Sequence, residues 1–345
     1  MADGHRLSDP LPRRVVILRA LQLGDLLCAV PAFRALRRFL PQARITLVGL
    51  PWARELVERF PGYLDDLLEF PGYPGLPERP PQVDRVPGFL AAAQNEHFDL
   101  ALQLQGSGGI TNPLTVLLGA DRCAGFYRPR QFCPEETRFL PYPDQGHEVR
   151  RLLRLLEFLG VPPQGEHLEF PVRDTDYQRL KAIPGADSFR PGGYVCVHPG
   201  ARAVDRRWPA EHFAAVADAL RARGLGIVLT GSREEAHVTR AVAGPSLDLA
   251  GRTDLGSLGV LLRGARLLVC NNTGVSHLAA ALQVPSVVFL HHESERERWA
   301  PLDARRHRAV SGPPEVTPEV ILAQAEELLR EEGPDGVIRA QSRSE

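Results

Sequence analysis

Four short segments carry side chains able to do chemistry. Gly24-Asp25 follows an apolar, β-branched run and precedes a helical pattern. An Asp at a helix start is favoured by the helix dipole, which gives a capping reading. A carboxylate at a cleft edge can instead take a proton from a substrate hydroxyl, which gives a general-base reading. HPGARAVDRRWP, His198 to Pro209, sets Arg202, Arg206 and Arg207 around a strand-to-helix turn. Guanidinium groups fork onto phosphate oxygens and a helix N-terminus adds N–H donors, so this is an anion site or else a solvated basic loop. NNTGVSHLAAA, Asn271 to Ala281, is another such turn, with Asn272, Thr273 and Gly274 at the junction and His277 one turn on. His277 fits either a substrate ligand or a structural hydrogen-bonder. Glu235, just after TGS, is placed to accept ribose hydroxyls or to face solvent from a helix.

Other chemistries find less support. No G-x-G-x-x-G occurs, which weakens a nicotinamide dehydrogenase reading. His291-His292-Glu293 are adjacent and cannot easily share one ion, so an irregular loop and no metal site are expected. The five cysteines, Cys28, Cys123, Cys133, Cys196 and Cys270, include no C-x-x-C pair. Neither a disulfide framework nor a zinc site is indicated, and Cys28, Cys196 and Cys270 lie in apolar runs that suit a core.

These segments need a scaffold, and the hydrophobic pattern supplies one. RVVILRA (14–20) reads as a strand, followed by helical spacing through Leu26, Ala29, Val30, Phe33 and Leu36, closed by Pro41. ARITLVGL is a second strand, PWARELVERFP a short helix, and the Pro/Gly-rich 71–87 segment a loop. FDLALQLQG is a third strand, and HEVRRLLRLLEFLG an amphipathic helix. The polar stretch 161–193 is the linker candidate. The alternation then restarts with GYVCVHPG, a helix stopped at Gly224, GIVLTG, a helix from Ser232, ARLLVC, the helix after Asn271, VPSVVFL, and a terminal helix capped by Thr317. The expectation is an α/β protein of two doubly wound domains, with ligands beyond the carboxyl ends of the strands, in a cleft between the domains.

Composition agrees with this class. The chain has 345 residues, 43% hydrophobic and 24% charged. About 150 residues per domain suggests two domains. Lys+Arg is 41 against Asp+Glu 42, for a formal net charge of -1. That argues against a nucleic-acid partner, which wants a basic face. Lys181 is the only lysine. No run reaches the roughly 18 apolar residues of a membrane span and the N-terminus has no apolar signal core, so a cytoplasmic location is expected.

The segments RVVILRALQLGDLLCAVPAFRAL, FDLALQLQG, HEVRRLLRLLEFLG, HPGARAVDRRWP, TGSREE, DLAGRTDL and CNNTGVSHLAAALQVPSVVF, in this order, resemble glycosyltransferase family 9, the ADP-heptose:lipopolysaccharide heptosyltransferases. The resemblance spans about residues 14–290. It implies a GT-B fold of two Rossmann-like domains facing a central cleft. The boundaries are 1–170 for an acceptor domain and 171–330 for a nucleotide-sugar domain, with a terminal helix that packs back on the first domain and a frayed tail at 331–345. It also implies inverting transfer with no metal or cofactor, from an ADP-sugar (heptose by family) to a lipopolysaccharide-core or related lipid-linked glycan.

By the same resemblance Asp25, with Gly24 and Pro31, stands at the base position of G-D-x-x-x-x-x-P. Arg206 stands at a phosphate-binding lysine, with Arg202 nearby, and Glu235 at the ribose acid. Thr273 and Gly274 stand in the D-T-G turn that meets diphosphate and sugar, with Asn272 and His277 beside it. Three departures are visible: Arg206 for lysine, Asn272 for aspartate, and HHESE (291–295) in place of a glycine-containing turn. The alternatives are a nucleotide-sugar-binding protein without turnover and another GT-B reaction such as nucleotide-sugar 2-epimerisation. A lipid-linked acceptor further implies peripheral contact with the cytoplasmic face of the inner membrane, for which Arg34, Arg37 and Arg38 are the candidate basic face.

Overall fold

The structure, a computed structural model, describes residues 7, 10–188, 190–242, 244–312 and 316–331. The chain divides into two compact units, Met1–His167 and Leu168–Glu345.

The first unit holds one parallel sheet of β1 (Arg14–Leu18), β2 (Arg44–Gly49), β3 (Asp66–Glu69), β4 (Leu100–Gln103), β5 (Arg122–Tyr127) and β6 (Phe139–Pro141), in spatial order β3-β2-β1-β4-β5-β6. Val15–Leu18 are buried throughout because helices cover both faces of a parallel sheet, so the strand reads as an unbroken apolar run. After β1 come α1 (Leu23–Leu27) and α2 (Val30–Phe39). The single helix expected here is broken, because Pro31 sits at the second position of α2 and cannot donate to the preceding turn. α3 (Ala53–Arg59), α4 (Val86–Asn95), α5 (Thr111–Leu117) and α6 (Glu148–Phe158) complete the unit. The end of the 71–87 segment, expected to be loop, is the start of α4. The helix starts with Pro87 near its first turn and buries Phe89 and Ala93 against Val16, Leu18, Val48 and Phe98.

The second unit has α7 (Asp174–Lys181), β7 (Tyr194–His198), α8 (Ala210–Ala222), β8 (Gly226–Leu229), α9 (Ala236–Ala241), β9 (Leu247–Asp248), α10 (Leu255–Gly264), β10 (Leu267–Asn271), α11 (Gly274–Ala281), β11 (Ser286–Leu290), α12 (Glu293–Trp299), β12 (His307–Ser311) and α13 (Pro318–Glu331). Its parallel sheet runs β12-β11-β10-β7-β8-β9. Counted from its own first strand, this is the same 3-2-1-4-5-6 order as the first sheet.

Four sequence expectations change here. The linker candidate 161–193 contains α7, opened by the Asp176 carboxylate accepting the Arg173 backbone N–H at 2.8 Å and tied to α10 by Arg179–Asp254 at 3.0 Å. Phe170 packs its ring over Gly259 of α10 and so belongs with the second unit. The terminal helix packs within its own unit: Ile321, Ala325 and Leu328 of α13 join Phe213, Val216 and Leu220 in one core. His291-His292 lead directly into α12, so the irregular segment is two residues rather than a loop. Cys28, Cys196 and Cys270 are buried and free, and Gly224 stops α8 at φ +82°. The tail beyond Glu331 lies outside the described residues. No helix among the described residues is long and apolar enough to cross a membrane.

Candidate active site

A sheet of this order has one point where its crossovers diverge to opposite faces, between its first and fourth strands. In the first unit that point lies beyond β1 and β4; in the second, beyond β7 and β10. The sequence-identified site residues fall on loops and helix starts around these points, together with the turn after β8.

In the first unit Asp25 lies within α1 rather than at its cap; the capping position is Gln22. Gly24 is buried and Asp25 partly exposed. The fully buried Arg19, just past β1, holds this turn. It donates to the Asp25 carbonyl from Nε at 3.0 Å and Nη2 at 2.8 Å, and to the Leu104 carbonyl just past β4. Nη2 also meets Glu148 Oε1 at 3.1 Å, and the other Glu148 oxygen takes a 2.5 Å bond from Arg151. Arg151 lies over the Tyr142 ring at 4.7 Å. A buried guanidinium is tolerated only when paired and hydrogen-bonded, and here the acid at the start of α6 neutralises it. Ala20 donates its N–H to Gln105 Oε1 at 2.7 Å, a second tie between the ends of β1 and β4.

The basic face expected on α2 is largely engaged by the protein. Arg34 donates to the carbonyls of Gln164, Gly165 and His167, each at 3.1 Å. Arg37 donates to Ala43 at 2.6 Å and pairs with Asp65. Arg38 is exposed.

In the second unit a buried amide does what Arg19 does in the first. Asn271, at the end of β10, donates to the carbonyls of Pro199 at 2.8 Å and Gly200 at 3.3 Å, and accepts the Trp208 backbone N–H at 2.9 Å. It therefore fixes both ends of the arginine-bearing loop after β7. Trp208 is anchored from its other side by an indole bond to the Val316 carbonyl at 3.0 Å.

Glu235 stands at the N-cap position of α9, and its carboxylate turns back to accept the Ser232 N–H at 2.8 Å. It lies directly over Gly200, where a Cβ would sit 2.3 Å from the Glu235 carboxyl carbon. Only glycine leaves room for the acid at the tip of this loop. His198 shares a 3.0 Å hydrogen bond with Thr230. Burial holds its imidazole below the ordinary histidine range, with the Glu235 charge opposing.

Thr273 is the extended N-cap of α11. Its hydroxyl makes no capping bond, and Oγ1 is buried without a hydrogen-bond partner among the described residues. The first N–H groups of a helix have no intrahelical acceptor, so this terminus presents donors at Gly274. Asn272 is half-buried, its N–H bound to the Phe289 carbonyl at 2.8 Å. His277 is buried and lies edge-on to Trp299 of α12, with ring centroids 6.1 Å apart.

Of the arginines after β7, Arg202 is exposed and Arg207 is turned onto the Ala201 carbonyl at 2.8 Å. Arg206 is exposed and pairs with Glu295 of α12 at 3.0 Å. Two of the three departures, Arg206 and HHESE, are thus in contact. Arg19, Glu148, Asn271, Gly200 and Glu295 are residues the sequence reading did not single out. Among the described residues no three His, Cys, Asp or Glu side chains are grouped to hold a metal ion.

The comparisons with known proteins fit this arrangement. "Glycosyltransferase family 9 (heptosyltransferase)" matches residues 90–327. Lipopolysaccharide heptosyltransferase 3 of Escherichia coli (strain K12) is 24% identical over 291 residues, covering 81% of this chain and 82% of its own. A glycosyl transferase family 9 structure from Veillonella parvula superposes with TM-score 0.78 at 19% identity, covering 92% and 97% of the two chains. The structure of E. coli ADP-heptose lps heptosyltransferase II gives TM-score 0.75 at 21% identity, covering 92% and 99%. The two α/β units have the Rossmann-like GT-B fold of these enzymes. With its matched segment covering well over half its length, the chain belongs to glycosyltransferase family 9, the heptosyltransferase family, and is a glycosyltransferase.

Proposed function

We propose that the protein transfers heptose from ADP-heptose to a lipopolysaccharide-core acceptor, or a related lipid-linked surface glycan, with inversion and without a metal. The observation that carries the reading is the opposite chemistry of the two crossover points: a half-exposed carboxylate, Asp25, in the first unit, and in the second an arginine loop with an uncapped helix terminus. In this reading residues up to about 170 bind the acceptor, and the rest bind the nucleotide sugar.

Asp25 takes the proton of the acceptor hydroxyl as that oxygen attacks the anomeric carbon. The bond from that carbon to the diphosphate breaks, and its electron pair leaves on the phosphate oxygen. A single displacement inverts the centre. The leaving diphosphate gains negative charge, which Arg206, Arg202 and the N–H groups at Thr273 and Gly274 are suited to receive. Glu235 accepts the ribose hydroxyls, while Gly24 lets α1 approach the acceptor. Asn272 and His277 stand at the sugar end of the donor. Relatives named lipopolysaccharide heptosyltransferases, and a structural neighbour named for ADP-heptose, support the donor and the acceptor class. A lipid-linked acceptor also brings the protein to the cytoplasmic face of the inner membrane, with Arg38 the exposed cation on α2.

The test is a panel of nucleotide sugars incubated with and without a lipid extract. ADP release from ADP-heptose that requires the extract, with heptose recovered on a lipid, is the expected result. Conversion of a donor without acceptor indicates epimerisation, and nucleotide binding without any turnover overturns the enzyme reading.

A further inference from the structure

The Arg206–Glu295 pair has an uneven geometry. Arg206 is 57% exposed in its side chain and Glu295 only 11%. Glu295 is also the fixed partner: Oε1 meets Arg206 Nη1 at 3.0 Å while Oε2 accepts the His291 N–H at 3.2 Å. Its own N–H donates to the His292 carbonyl at 3.0 Å in the first turn of α12. Arg206 therefore has freedom to turn toward another acceptor, and the carboxylate cannot follow it.

We propose that Glu295 is an affinity-setting residue that competes with the donor's diphosphate for Arg206. This deepens the reading of Arg206 as a phosphate ligand and rests on it. In the unloaded protein the carboxylate occupies the guanidinium. When a diphosphate arrives, Arg206 exchanges one anion for the other, and the fixed carboxylate remains beside a ligand of like charge. Two effects of Glu295 oppose each other. It orients Arg206, which restricts the rotamers of one exposed side chain. It also occupies the guanidinium that the diphosphate needs, so the ion pair must be given up when the ligand binds, an effect that requires Arg206. The second outweighs the first. Glu295 therefore weakens nucleotide binding and hastens release of the nucleoside diphosphate product.

Calorimetric titration with ADP of the wild type, E295Q, R206A and the double variant tests this. E295Q is expected to bind ADP about two- to fivefold more tightly, the range of a partly screened ion pair. That gain shrinks in the R206A background, and R206A alone binds more weakly. If R206A weakens binding while E295Q leaves it unchanged or weakens it, the competitor role is overturned and the phosphate role of Arg206 stands. If R206A binds ADP as well as the wild type, or the wild type binds no ADP, the phosphate reading falls and the proposal falls with it.

Discussion

The Arg19 guanidinium grips the Asp25 carbonyl with two hydrogen bonds, at 3.0 and 2.8 Å, while its charge is met by Glu148, 129 residues away. The proposed base is thus held through its backbone by a buried ionic cluster.

Replacing Arg19 separates positioning from stability. Arg19→Met leaves the Glu148–Arg151 pair without its third member and is expected to cost about 3–5 kcal/mol in urea unfolding. Arg19→Lys keeps the charge and loses the fork. It is expected to lower kcat about tenfold with ADP affinity unchanged; parallel loss of ADP affinity would remove the positioning role.

Asp25→Asn keeps the shape and removes the base. Transfer is expected to drop about 10²- to 10⁴-fold, the usual contribution of general-base catalysis, with calorimetric ADP binding retained. Full transfer by the variant would remove Asp25 from the mechanism.

Gly200→Ala puts a methyl group where the Glu235 carboxyl group lies, 2.3 Å from its carbon. The acid must move, and ADP affinity is expected to fall about tenfold, as for one lost charge-assisted hydrogen bond. Glu235→Gln should give a loss of similar size. ADP affinity at the wild-type level in both variants would place the ribose contact elsewhere.

Asn271→Asp exchanges a donor for an acceptor against the Pro199 and Gly200 carbonyls. It is expected to destabilise the second unit by about 2–4 kcal/mol, through buried groups left unpaired and a carboxylate facing carbonyls. Limited proteolysis within 199–208 would report the released loop.

Stability should also depend on pH through His307, which is buried against Ser286 at 2.8 Å. Burial pushes its imidazole down from 6.5 to about 4. The unfolded chain therefore binds the proton first as pH falls. The stabilisation is fully present above about pH 6.5 and is lost progressively down to about pH 4, amounting to about 3 kcal/mol. Urea midpoints at pH 7 and pH 4.5 should converge in His307→Asn relative to the wild type.

The strands legible in the sequence were β1, β2, β4, β7, β8, β10 and β11, which lie inside their sheets and read as continuous apolar runs. The edge strands β3, β6, β9 and β12 escaped, as did β5 next to an edge. DLLE, FLP, LD and HRAVS are short or carry polar residues because an edge strand meets solvent on one side. The site divides the same way. Asp25, Arg206, Glu235 and Thr273 sit at or beside strand-to-helix junctions, which the local pattern marks. Arg19, Asn271 and Glu295 take their roles from partners 129, 63 and 89 residues away, a distance no local pattern encodes.

The repeated strand order has a consequence for how such a protein can diversify. The loop after β1 and the loop after β7 occupy the same place in two copies of one topology, yet one bears an acid and the other arginines. Each loop is stitched to its own fourth strand by its own buried side chain. Inherited changes that re-specify the partner of one loop therefore leave the scaffold of the other intact, and the two copies can drift toward new substrates one at a time.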